Sequence, residues 1–257
     1  MVQSFELENI EKYKKVYQAN SITFLPPKES KVYAHVTLWE RIKLVENHLT
    51  SNDTILDLCC GSGEHLFYLS QLVNHGIGID ISSQFIQRAK DNQKQLHASN
   101  IELILGNVRH LPFSSNMYNV VYSFSSLYHI PAVEQVILEI SRVLKTKGIC
   151  VLDFGNVFSL NTIVCKAYPN LARPYHISVE QMLSIFNKAN LSIITHKAFQ
   201  ITPMWSKRPL WLYPLLSDIW VKLMSKKIKG KMLDEWLSNL SLLKYFAFRH
   251  VFVCEKR

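Results

Sequence analysis

Residues 55–69, "ILDLCCGSGEHLFYL", set an apolar run, a carboxylate, two adjacent cysteines and two glycines ahead of a stretch with helical spacing. Ile55 to Leu58 reads as a short parallel strand, apolar without alternation because both faces of such a sheet are covered. A helix is expected to start near Glu64. Gly61 and Gly63 are then expected to leave backbone N–H groups open at the helix N-terminus, where an anionic group is favoured and a ligand can approach closely. A dinucleotide fingerprint requires GxGxxG, but Leu66 occupies the third position and the charge of Asp57 would repel a pyrophosphate. The ligand of this loop should carry an ammonium.

The wider composition fits a globular protein. With 48% hydrophobic and 19% charged residues, the 257-residue chain can bury a full core, which excludes collagenous, low-complexity and disordered classes. Its first residues, "MVQSFELENIEKYKK", carry early acids and no apolar segment before a cleavage site, so neither a signal nor a transit peptide is expected and the protein is placed in the cytoplasm. Cys59, Cys60, Cys150, Cys165 and Cys254 form no CxxC pair and read as reduced core residues, at least three of them in strand-like runs. The most apolar region, "PLWLYPLLSDIWVKLM", is broken by Pro214 and Asp218, so no spanning helix is expected.

Downstream, strands and helices alternate. "GIGIDIS" repeats the strand pattern and ends in Asp80, 17 residues after Gly63, near where a doubly wound fold places the acid that takes the ribose hydroxyls. Ser82 or Ser83 is expected to cap a helix running to about Leu96. "IELILGN" and "YNVVYSFSSLYHI" give strands three and four. Pro131 leads into "AVEQVILEISRVLKTKG", read as a helix closed by Gly148, and "GICVLDF" is strand five. Such alternation requires right-handed crossovers and puts ligands at the carboxyl ends of the strands, the edge where Asp57, Asp80, Asn107 and Ser123 to Ser126 fall.

"ILDLCCGSG" resembles the first motif of class I S-adenosylmethionine-dependent methyltransferases, with Asp57, Gly61 and Gly63 in its key places. The paired cysteines resemble the variant of the ubiquinone/menaquinone-type C-methyltransferases. A glycine commonly stands where Cys59 does, so negative φ is expected there. The resemblance implies an α/β, doubly wound, Rossmann-like sheet of seven strands in the order 3-2-1-4-5-7-6, the last one antiparallel and carried by "FAFRHVFVCEK". It also implies S-adenosylmethionine as cofactor, held by Asp57, Cys59, Gly61, Ser62, Gly63, Asp80, Ile81, Asn107, Val108 and Ser123, with no metal. Asn107 stands where the family usually has an acid for the adenine amino group, and its carbonyl oxygen can accept that bond without charge. The expected organisation is an N-terminal helical segment (1–50) over the cofactor, a core (51–200), a helical cap (201–244) and the final strand (245–257).

Substrate contacts are expected from the variable parts. Tyr13, Tyr17, Tyr33, His35 and Trp39 lie in the N-terminal segment, where each serves packing equally well. The cap holds Trp205, Trp211, Trp220 and Trp236, four of five tryptophans. "SDIWVKLMSKKIK" and "KMLDEWLSNLSLL" have helical spacing, so the cap is expected to be a mostly helical lid over an apolar pocket, with Trp220 and Trp236 on apolar faces. The expected acceptor is a small, largely apolar or aromatic metabolite methylated on oxygen or carbon. His129, after the fourth strand, is the side chain best placed to take a proton near neutral pH, and His176 in "RPYHIS" is a second candidate from the opposite rim, each with a structural role as the alternative. The net charge of +9 and Lys207, Arg208, Lys222, Lys226, Lys227, Lys229 and Lys231 admit peripheral membrane contact or an acidic partner, a solvated cap face being the commoner reason for such a run. "SFSSLYH" lacks a (D/N)PP(Y/F/W) motif and a cysteine nucleophile, so DNA is not expected. An RNA or protein acceptor, or a noncatalytic cofactor-binding subunit, ranks below the small molecule.

Overall fold

The apolar runs pair into one sheet in the computed structural model, which describes residues 25–168, 174–203 and 207–257. Its strands are β1 (Thr54–Leu58), β2 (His75–Asp80), β3 (Ile101–Leu105), β4 (Tyr118–Ser123), β5 (Leu144–Gly155), β6 (Leu191–Phe199) and β9 (Arg249–Lys256). They stand in the order β3-β2-β1-β4-β5-β9-β6. The first five are parallel, and β9 runs antiparallel to both neighbours. A small hairpin, β7 (Lys227–Ile228) and β8 (Lys231–Met232), precedes β9, which is therefore the seventh strand of the sheet and realises the expected order.

Helices cover both faces. On one side α1 (Tyr33–Glu46) and α2 (Glu64–Leu69) bury Trp39, Ile42, Val45, Leu66 and Leu69 against Ile55, Val120 and Val253. On the other, α4 (Val133–Val143) and α6 (Val179–Lys188) pack Ile137, Ile140, Met182 and Phe186 against Leu56, Leu58 and Phe252. Side chains alternate across a strand, so Asp57 shares the face of Ile55 rather than that of its immediate neighbours. α3 (Ser83–Leu96) starts at Ser82, whose hydroxyl accepts from the Phe85 N–H at 3.3 Å, and ends at Leu96 as expected. Ser178 and Gln181 close a full capping box on α6.

Three local expectations are corrected. α4 ends at Val143, not at Gly148: Asn116 and Met117 donate to the Arg142 and Val143 carbonyls, and fully buried Leu144 pairs with Tyr118, so tertiary contacts override the helical pattern. Only Cys150 and Cys254 lie in strands; Cys59 and Cys60 are in a loop and Cys165 is in α5 (Leu160–Lys166). In the cap, α8 (Asp218–Met224) stops six residues before Gly230, whose φ of +80° together with the φ of 50° at Lys229 turns the chain into the hairpin.

The rest of the cap is α7 (Tyr213–Leu216) and α9 (Leu233–Ser238). Leu212 and Leu216 bury against Val164 of α5. Trp220 is half-buried and donates to Thr202 Oγ1 at 3.0 Å, while Trp236 is 42% exposed with its indole N–H on the Ile228 carbonyl, so only the first lies as expected. The cap is tied to α1 by the Tyr33 hydroxyl on Asp234, whose carboxylate also accepts the N–H groups of Gln200 and Ile201 at 2.8 and 3.0 Å. Tyr13, Tyr17 and Trp205 lie outside the described residues. Among those described, no helix is long and apolar enough to cross a membrane.

Candidate active site

The loop between β1 and α2 reverses the chain with positive φ at Cys59 (57°), Gly61 (54°) and Gly63 (86°). Negative φ at Cys59 was the expectation; the turn instead forces this cysteine into the left-handed region, at a cost of about 1–2 kcal/mol. The glycine N–H groups were expected to face a ligand. They are engaged internally: Gly61 N–H donates to Asp80 Oδ2 at 3.0 Å and Gly63 N–H to the Cys60 carbonyl at 2.9 Å. What the loop offers a ligand is space, since a Cβ at Gly61 would meet nothing within 4 Å, whereas at Gly63 it would strike the Phe67 ring at 2.6 Å.

Carboxylates concentrate around that space. Asp57 is 2% exposed and lies beside Tyr122 of β4, its partner in register. Burial holds its pKa well above the carboxylate range, Tyr122 opposes this in part, and Asp80 and Glu64 add to it. Asp57 Oδ2 and Tyr122 Oη are both buried without a well-formed hydrogen bond. Asp80, at the end of β2, accepts the Ser82 N–H at 2.9 Å through its other oxygen, and burial raises it too. A buried carboxyl with an unsatisfied oxygen, beside two further acids, suits a cation and repels a phosphate.

The other expected cofactor residues divide. Ile81 is 48% exposed at the strand end and Asn107 is half-buried, its Oδ1 accepting the Arg109 N–H at 3.0 Å with one lone pair left over. Ser62, Val108 and Ser123 are buried scaffold: the Ser62 carbonyl accepts from Asn92, Val108 joins the core, and Ser123 Oγ donates to the Leu58 carbonyl at 3.0 Å, bracing β4 on β1. Burial pushes the Cys59 thiol up, so it is no thiolate at neutral pH.

Beyond β4, His129 and His176 were expected on opposite rims. They instead share one aromatic cluster, with Tyr128 4.3 Å from the His129 ring and 6.1 Å from the His176 ring, and Phe248 5.0 Å from His176. His176 Nδ1 is 2.7 Å from Thr162 Oγ1, and its Nε2 is buried with no partner. Burial lowers His129 to about 3, helped by His176 and Arg249, and lowers His176 to about 4. Titration near neutral pH, expected for His129, is therefore corrected: both rings are neutral acceptors of modest basicity.

Sequence reasoning missed a buried charge cluster beside these rings. Asp153, at the end of β5 and fully buried, meets Arg41 of α1 at 2.6 Å and Arg249 of β9. The Ser125 N–H donates to its Oδ1 at 2.7 Å. Burial pushes Asp153 up, but Arg249 and Arg41 outweigh it and hold the carboxyl below its ordinary value. Burial and the neighbouring Arg249 bring Arg41 down to about 10. The one available signal was "VLDF", which puts an acid at the end of strand five as "ILDL" does for strand one.

A doubly wound sheet whose last strand is reversed, with a tight glycine loop after β1 and an acid closing β2, defines a class I S-adenosylmethionine-dependent methyltransferase. Residues 49–205 match the model of a family described as methyltransferase domain, and the chain belongs to that family. It is 37% identical over 112 residues to the demethylmenaquinone methyltransferase of Lactiplantibacillus plantarum, covering 42% of this chain and 47% of that protein. Against the enzyme of the same name from Staphylococcus saprophyticus it is 32% identical over 116 residues, covering 44% and 49%. The match thus spans about half the length of each relative. Among solved structures, the putative sarcosine dimethylglycine methyltransferase of Galdieria sulphuraria superposes with a TM-score of 0.64 at 18% identity, covering 97% of this chain and 98% of that one. The geranyl diphosphate C-methyltransferase of Streptomyces coelicolor gives 0.64 at 15%, covering 98% and 97%. These likenesses concern the fold. The cofactor of the class is S-adenosylmethionine, and the buried, unsatisfied Asp57 beside the open space over Gly61 fits its cationic groups.

Proposed function

We propose that the chain transfers a methyl group from S-adenosylmethionine to a small, largely apolar or aromatic acceptor, at carbon or oxygen. The observation that carries this reading is the cluster of Tyr128, His129, His176 and Phe248 at the carboxyl edge, following the turn whose Ser126 meets Cys59 of the loop after β1. Aromatic faces and neutral imidazoles suit a flat, weakly polar acceptor. The names of the relatives support a quinol ring as the first acceptor to try.

Bound over the loop, S-adenosylmethionine supplies a methyl group already made electrophilic by its sulfonium. Asp57 and Asp80 would hold the cofactor by its cationic and hydroxyl groups, Asn107 would meet the adenine edge, and Ile81 would supply apolar contact. The imidazoles of His129 and His176 accept a hydrogen bond from an acceptor hydroxyl and so orient it, which serves in-line attack. Being weak bases, they take that proton only from an acceptor acidic enough to release it. The N-terminal segment and residues 201–244 would close the site and keep water out.

The test is incubation of the full chain with isotope-labelled S-adenosylmethionine and a panel of hydroquinones, catechols and aliphatic acids. Label is expected in an aromatic product, and His129→Ala is expected to lower turnover by about 10- to 100-fold with cofactor affinity unchanged. Transfer confined to aliphatic acids, or unaltered in the variant, would refute the reading of the aromatic cluster.

A further inference from the structure

The outer surface of the cap breaks the ordinary rule for a helix on a globular protein, which turns its apolar face inward and polar residues to water. The inward positions are filled as expected: Leu212, Leu216, Met224 and Met232 are all buried. Large apolar side chains also face outward in the helices and turns of residues 210–246. Leu210 is 79% exposed, Trp211 68%, Ile219 81% and Leu242 81%, with Tyr213 and Phe246 each at 56%. A folded chain rarely leaves so many large apolar side chains in water without a partner.

The exposed charges of the same segment are nearly all positive. Lys207, Arg208, Lys222, Lys226, Lys227, Lys229 and Lys231 are all exposed. Of the three acids between residues 207 and 246, Asp234 and Glu235 are buried, leaving Asp218 as the one exposed carboxylate in that stretch. The two features interleave physically. The Lys231 ammonium lies over the Trp236 ring, 5.2 Å from its centroid, and the Trp236 indole N–H donates to the Ile228 carbonyl of the hairpin that carries Lys227, Lys229 and Lys231. α7 packs on α8, α8 on α9 and α9 on β8, so the set is one connected cap.

We infer that this face is a docking surface for an anionic lipid bilayer, with Trp211, Ile219 and their neighbours entering the headgroup boundary and the lysines lying against the lipid phosphates. Charge complementarity selects this occupant: a cationic face with interspersed aromatic and aliphatic side chains and almost no exposed acid matches an anionic interface. A second copy of the same cationic face would bring like charges together. The inference is independent of the methyl-transfer reading, because its readout is partition onto lipid. It also gives an apolar acceptor dissolved in a membrane a direct route to the cap.

The experiment is co-sedimentation of the full chain with phosphatidylcholine vesicles, with and without phosphatidylglycerol, at low and high salt. Binding is expected on the anionic vesicles only, weakening as salt rises. Lys226→Glu, Lys227→Glu and Lys229→Glu together are expected to reduce partition at least ten-fold. Trp211→Ser with Ile219→Ser should reduce it as well, and because both positions are exposed the fold and S-adenosylmethionine binding should be unchanged. Failure to bind either vesicle, or binding insensitive to both sets of substitutions, overturns the inference. So does a chain that ignores lipid but forms a dimer which Trp211→Ser and Ile219→Ser dissolve, since a second copy would then cover the patch.

Discussion

Asp57 is a carboxyl placed where only a cation keeps it comfortably ionised. Its raised folded pKa means that the ligand-free fold binds a proton there more tightly than the unfolded chain does, so ionisation at neutral pH is a cost to the fold. Two consequences of opposite sign follow. Asp57→Asn should raise the melting temperature of the ligand-free protein while lowering S-adenosylmethionine affinity by about ten-fold or more. Wild-type affinity should also fall as pH drops and the carboxyl is neutralised; calorimetry at neutral and mildly acidic pH measures this, and a flat profile would contradict the assignment. Asp153 is the reverse case, since two guanidiniums share its charge. Arg41→Leu leaves a matched pair with Arg249, whereas Asp153→Asn strands two buried cations and should cost about 3–5 kcal/mol in a denaturant titration, well above the first variant. Asp57 and Asp80 were legible because each closes an apolar run at a set distance from the glycines. The charge cluster was not, because residues 41, 153 and 249 meet only when α1, β5 and β9 assemble. The φ of Cys59 was also misjudged, because the turn geometry overrode the preference of a residue with a Cβ.

Among the elements, the contact between α1 and α9 decides how firmly the cap is held. Asp234 collects the Tyr33 and Ser238 hydroxyls and two backbone N–H groups, so Tyr33→Phe removes one of four donors and should cost about 1 kcal/mol. Amide hydrogen exchange should then speed up in residues 213–238 more than in β1 or β4, whose contacts are untouched; uniform exchange across the chain would show that the tie does not restrain the cap. The element read best from sequence was the one with both a period and a cap, α3 behind Ser82. Those read worst had a period that tertiary structure cut short. α4 yields at Leu144 to strand pairing, and the segment after α8 yields to a Gly230 turn that no helical spacing announces.

At the scale of the whole molecule, His65, His129, His176, His196 and His250 are held neutral, with burial as the leading cause in each, at pKa values of about 4, 3, 4, 3 and 4. The unfolded chain protonates these rings near pH 6.5, so stability is full above that pH and is lost as pH falls toward about 4, by about 1.4 kcal/mol per unit for each ring in that window. The raised carboxyls of Asp57, Asp80 and Asp234 work the other way and offset part of the loss. The melting temperature should decline through this range, and His196→Gln with His250→Gln, which removes the pair joined at 2.8 Å, should make the decline shallower. An equal slope would assign the acid sensitivity elsewhere. The sheet order was legible because the family motif and the β–α alternation agree. The cap was only partly legible, since its apolar residues serve two faces at once. The claim on which the rest stands is that the loop after β1 and the end of β2 bind S-adenosylmethionine, and isothermal calorimetry of the full chain tests it most directly. S-adenosylmethionine and its demethylated product are expected to compete for a single site that NAD does not occupy, with Asp80→Ala weakening both by roughly 100-fold through the loss of charge-assisted bonds to the ribose. Absence of binding, displacement by NAD, or unchanged affinity in Asp80→Ala would contradict it.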